Sequence, residues 1–123
     1  MTTQDEHDAI ADKIDERVRN AIGKKCHLSY SAYEYDKNDN PIDNLDEIVA
    51  KGKCVFIRTL SDYPYISEVI ENPIWMDVCK IANNSILYID KNGRIDHVFL
   101  ESVTKVGALD YGKIKIFEMF FGS

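Results

Sequence analysis

The chain of 123 residues holds only six glycines, three prolines and three cysteines, and it has no excess of bases. Each shortage removes a class of protein. The glycines stand singly, so no glycine-rich phosphate loop opens a nucleotide-binding fold. Cys26, Cys54 and Cys79 are odd in number and form no C-x-x-C pair, which predicts reduced thiols rather than a disulfide framework. With His27 and His97 they are too scattered to spell a zinc motif, and no metal or cofactor is expected. Twenty-one acids against 15 bases give a formal net charge of −6, which disfavours nucleic acid or an anionic membrane as a partner. No apolar run approaches the ~18 residues of a membrane span. The acidic start, Met1 to Glu6, lacks the apolar stretch of a secretory signal. Together these absences predict a cytoplasmic protein. No Ser-His-Asp, G-x-S-x-G or Cys-His signature is legible either, so the sequence leans away from an enzyme.

What is present is globular: 45% hydrophobic residues, 29% charged, and the length of one domain. No repeat or linker divides residues 1–123. Thr3-x-x-Glu6 is a capping box, and Ile10, Ile14, Val18, Ala21 and Ile22 recur at helical spacing up to Gly23. This predicts an amphipathic helix over about 4–22 that lies lightly on the domain or meets its own copy. His27 to Tyr35 suits a strand. Asn40-Pro41 predicts a short helix ending at Gly52, with Ile42, Leu45, Ile48 and Val49 inside. Cys54 to Leu60 reads as a strand, and 62–71 as a short helix or helical turn around Pro64. Asn72-Pro73 launches another helix with the stripe Trp75, Val78, Cys79 and Ala82.

Asn92-Gly93 is a strong hairpin signal and predicts that Ile86–Asp90 pairs with Ile95–Val106. The alternative keeps Ile86 and Ile89 on the preceding helix, whose period they also match. Residues 107–112 turn the chain into a last strand, Lys113–Phe121. The expected fold class is α+β, with three or four helices on a mainly antiparallel sheet of about five strands ending in a meander. Phe117, Met119, Phe120 and Phe121 make both faces of that sheet apolar. One face needs helices, and the other needs more helix or a second copy of the chain, which predicts a homodimer.

The stretch Asn72-Pro73-Ile74-Trp75-Met76-Asp77-Val78-Cys79, then Asp96-His97-Val98-Phe99-Leu100-Glu101 and the ending Phe120-Phe121-Gly122-Ser123, resembles small uncharacterised proteins of tailed marine cyanophages. The resemblance spans about the last 50 residues. It implies a viral protein at work in a bacterial cytoplasm and carries no chemistry with it.

Register counting supplies one polar candidate. A two-residue turn at Asn92-Gly93 sets Tyr88 opposite His97. A hairpin symmetric about Leu109 and Asp110 sets Glu101 opposite Glu118. Tyr88, His97, Glu101 and Glu118 then share one half-apolar face as a candidate ligand or catalytic site. Facing carboxylates repel unless they share a proton or hold a cation. A one-residue slip would move one of them to the other face. An EF-hand spacing at Asp36, Asn38, Asn40 and Glu47 fails because Pro41 stands where the loop needs glycine. From Glu34 to Glu47 six acids face one base, which suits a solvated surface or a patch for a basic protein partner. The leading expectation is a small, acidic, non-catalytic binding protein that pairs with itself. The alternatives are a small-ligand enzyme or sensor using the paired carboxylates, and an acidic inhibitor of a basic protein.

Overall fold

The computed structural model describes residues 4–30, 37–38, 40–60, 63–92 and 97–122, with backbone alone at 4–7 and 90–92. The first helix, α1 (Gln4–Ile22), covers the expected span. It docks rather than standing apart: Ile14 and Val18 are wholly buried in the core, and Ile10 and Ile22 pack beside them. Asp15 on its flank takes Arg19 one turn later at 2.7 Å and accepts the Tyr30 amide at 2.8 Å. Gly23, at φ 89°, closes the helix by donating to the Arg19 carbonyl.

The helix expected from Asn40-Pro41 is absent. Arg17 of α1 holds Asp43 and Asp46, the carboxylates that were to line its first turn. The backbone groups that a helix would use internally are spent elsewhere. Val49 donates to Pro73, while Leu45 and Glu47 accept from Met76 and Trp75. Those two amides belong to the first turn of α2 (Trp75–Asn92), so the irregular segment caps that helix. Asp77 completes the cap by accepting the Ile74 amide at 3.0 Å. Helix α2 thus starts beyond Asn72-Pro73, with Asn72 in a left-handed turn (φ 49°) bonded to Gly52.

Strand β1 (Lys53–Arg58) is followed by β2 (Tyr65–Ile66) and β3 (Ile70–Glu71) where a helical turn was expected. Both pair antiparallel with β1. The hairpin at Asn92-Gly93 is also overturned, because α2 runs on to Asn92. Ile86 and Ile89 extend the buried stripe of Val78, Cys79 and Ala82 along the same helix face. Strands β4 (Phe99–Leu109) and β5 (Ile114–Gly122) close the fold as an antiparallel pair rather than a three-stranded meander. The sheet order is β2-β1-β5-β4 with β3 beside β1, and its centre, β1 with β5, is parallel. The fold is therefore α+β with a mixed five-stranded sheet and, among the described residues, two helices rather than three or four. None of the described helices is long and apolar enough to cross a membrane. Of the expected strand at 27–35, Ser29 makes one bridge to Phe99, and residues 31–35 lie outside the described part, as does Thr3 of the capping box.

The core fills one side of the sheet. Cys54, Phe56, Leu100, Phe117 and Met119 project there and meet Ile14, Val18, Val78, Cys79 and Ile86. Burial, with Cys26 and Asp15 as lesser contributors, pushes the Cys79 thiol far above its usual range. The folded state then holds this proton more tightly than the unfolded chain, whose thiol titrates near about 8.5. Its contribution is whole below that pH and falls above it, by up to ~1.4 kcal/mol per pH unit. Between about pH 9 and 10 the wild type should lose stability more steeply than Cys79→Ala, as calorimetry at paired pH values would read.

Candidate functional site

The four residues expected to converge separate into three places. Tyr88 lies on α2, its ring 5.7 Å from Tyr65, which shares the helix-covered face with its partner Arg58. The sheet therefore stands between Tyr88 and the carboxylates. Glu118 pairs with Thr104, not Glu101, and its carboxylate accepts a hydrogen bond from the Thr59 hydroxyl. Glu101 and Glu118 do share the open face, but about four residues of strand, ~13 Å, separate their positions. The facing carboxylate pair does not exist.

Two local features explain the shift. The β4–β5 turn occupies residues 110–113 and winds left-handed through Asp110, Tyr111 and Gly112 (φ 51°, 55° and 86°), so Leu109 pairs with Ile114. Irregularities between Leu100 and Ser102, and between Lys105 and Gly107, each add a residue to β4. Glu101 is the extra residue of the first. Its carboxylate lies over Gly122, where the Cβ of any other residue would collide with it. The bulge aims the side chain and the glycine makes room for it.

His97 and Glu101 line one cavity, together with Arg58, which the sequence reading missed. Strand β1 ends at Arg58 while β5 runs on to Gly122. Beyond the end of β1 a cavity of about 230 Å³ opens, lined by Arg58, His97 and Glu101 and floored by Met119, Phe120 and Phe121. Arg58 is 4% exposed. Its guanidinium lies over the Phe121 ring, 3.8 Å from the centroid, and donates to the His97 carbonyl at 3.1 Å. Glu101 has neither a hydrogen bond nor an ion pair among the described residues. The sequence signal for Arg58 was an arginine inside the run Cys54–Leu60, apolar but for Arg58 and Thr59, a place where a charge needs a reason.

Among the described residues no three His, Cys, Asp or Glu side chains converge to hold a metal ion. The acidic segment 34–47 is partly consumed within the molecule, because Arg17 takes Asp43 and Asp46. Its residues 34–36 and 39 lie outside the described part.

The second surface of interest is the sheet face away from the helices. Pairing places Lys53, Val55 and Ile57 of β1 on it, with Ile114, Ile116 and Glu118 directly beside them on β5. Ile66 continues it on β2 at 71% exposure. None of these apolar side chains belongs to the cluster packed under the helices, yet only Ile66 is exposed: Ile57, Ile114 and Ile116 are half-buried and Val55 is buried. The chain matches no protein-family model, no curated protein and no solved structure.

Proposed function

We propose that this chain is a non-catalytic binding protein of the cytoplasm that works as a pair of identical copies joined through the open face of the sheet. One observation carries the reading: the apolar stripe Val55, Ile57, Ile114 and Ile116 has Lys53 at one end and Glu118 at the other. A twofold axis at its middle, near Val55 and Ile116, lays each copy's Lys53 against the other's Glu118 with the isoleucines between. The stripe is thus complementary to itself in both charge and hydrophobicity, and an apolar sheet face of this kind calls for cover. Two wholly buried thiols, Cys54 and Cys79, with Cys26 also free, suit a reducing compartment. The cyanophage resemblance supports a bacterial host cell as the setting.

Sedimentation velocity at micromolar concentration tests the pairing. The expected species has twice the chain mass of 14.1 kDa. Ile66→Glu, on an exposed side chain at the border of the stripe, should weaken association at least about tenfold with the circular dichroism unchanged. A wild type that stays monomeric across the micromolar range overturns the reading.

A further inference from the structure

A groove of about 540 Å³ opens between helix α2 and the edge of the sheet formed by β2 and β3. Its walls share the helix-covered side: Tyr65 pairs with Arg58 and Ile70 with Cys54, while Ile81 and Asn84 come from α2. Strands β2 and β3 are one edge strand interrupted by a bulge. Ile66 pairs with Ile57 and Ile70 with Cys54, so residues 67–69 face only Val55 and Phe56. Ser67 fastens the bulge to β1. Its amide donates to the Phe56 carbonyl at 2.9 Å, and its hydroxyl accepts the Phe56 amide at 2.8 Å. The same hydroxyl donates to the Glu68 carbonyl at 2.9 Å, so Glu68 stands on fixed backbone at the lip of the groove.

Among the described residues Glu68 is the single charge in the lining, and its carboxylate has neither an ion pair nor a hydrogen bond. Burial first, and the Glu68 charge second, push the Tyr65 phenol above its usual value. The Tyr65 ring is tilted against that of Tyr88 on α2, with 5.7 Å between centroids. Val69, Ile70 and Ile81 supply the apolar part of the wall. This lining is selective by charge. An anion is repelled, since no basic side chain lines the groove. A divalent metal ion finds one carboxylate where it needs several oxygen ligands. A neutral apolar molecule gains the wall and leaves the carboxylate unanswered. An organic ammonium ion answers both, with its charge against a carboxylate beside a tyrosine and its hydrocarbon against the aliphatic wall. The net charge of −6 also raises the concentration of any cation near the surface. We propose that this groove binds an organic ammonium ion with a short apolar body, its charge on Glu68 and its hydrocarbon on Val69, Ile70 and Ile81. The groove is independent of the pairing of two copies, whose isoleucine stripe lies on the other face of the sheet.

The test is a backbone amide NMR titration of the whole chain, in about 0.15 M salt, with n-butylammonium and cyclohexylammonium in turn. The alcohol of each skeleton, butan-1-ol or cyclohexanol, and methylammonium serve as controls. At least one of the two ions should shift the amides of residues 65–70, 81 and 84 saturably in the millimolar range. Its alcohol and methylammonium should each bind about tenfold more weakly. Glu68→Gln, on an exposed side chain, should weaken the ion about tenfold and leave the alcohol unchanged. Val69→Ser, also exposed, should weaken ion and alcohol alike. No saturable shift with either ion overturns the proposal. So does an alcohol that binds as well as its amine, or indifference to Glu68→Gln or to Val69→Ser. A response spread over the acidic surface of α1 instead, the mark of a loose ion atmosphere, overturns it too.

Discussion

Replacing Phe56 by alanine is expected to remove about 4 kcal/mol of folding stability, the largest loss of any single truncation in this chain. Phe56 sits in the middle of β1 with no accessible surface, and its ring stacks on Phe117 across the parallel seam at 5.4 Å between centroids. Core residues of α1 and α2 close over it, so the space left by the ring has no mobile neighbour to refill it. A domain of this size has about 5–15 kcal/mol to lose. The urea midpoint should therefore fall by about 2 M, with the cooperativity of the transition retained. A loss below about 1 kcal/mol would show that the seam between β1 and β5 is not the mechanical centre of the core.

The second large effect belongs to a polar residue. Asn83 on α2 is 1% exposed, and its amide makes three hydrogen bonds to the segment that leaves α1. The oxygen accepts the His27 and Leu28 amides at 2.8 and 3.2 Å, and the nitrogen donates to the Lys25 carbonyl at 3.0 Å. Asn83→Leu keeps the volume and removes all three bonds. It leaves the Leu28 amide without a partner in a buried place and the His27 amide and Lys25 carbonyl without one in a half-buried place, at a cost of about 3 kcal/mol. Hydrogen exchange should read the change locally, with the amides of residues 27 and 28 losing protection before those of β5. An Asn83→Leu protein within about 0.5 kcal/mol of wild type would mean that water reaches this joint and replaces the side chain.

The elements that could be read from the sequence are those set by local pattern. Helix α1 was legible because its isoleucine and valine spacing and its closing Gly23 agree. Strand β1 was legible as an apolar run, and β5 because its aromatic end alternates between faces. Residues 40–52 and 85–92 were not, for two different reasons. Asn40-Pro41 is a sound helix signal that lost to tertiary bonds with Arg17 and the first turn of α2. Ile86 and Ile89 fit a strand and a helix equally, and the choice fell to the face that could bury them against the sheet. The site suffered from the same blindness to long-range terms. Counting register across a hairpin needs every bulge to be known, and the two irregularities in β4 separated Glu101 from Glu118. Once the bulge is known, Gly122 explains itself, but nothing in the sequence announces it.

The parallel pairing of β1 with β5 joins segments about sixty residues apart, and the chain between them holds β2, β3, α2 and β4. Contacts of such span are entropically dear to close and tend to slow folding. Local units, the helix α2 and the hairpin β4–β5, can form within microseconds. The central seam must wait for both to dock. Until it does, Val55 and Ile57 belong to a strand whose β5-facing side has no neighbour, a condition that invites the wrong partner. The rate at which this protein becomes native is thus set in its middle, by the meeting of Phe56 with Phe117, and substitutions there should slow folding as well as weaken the folded state.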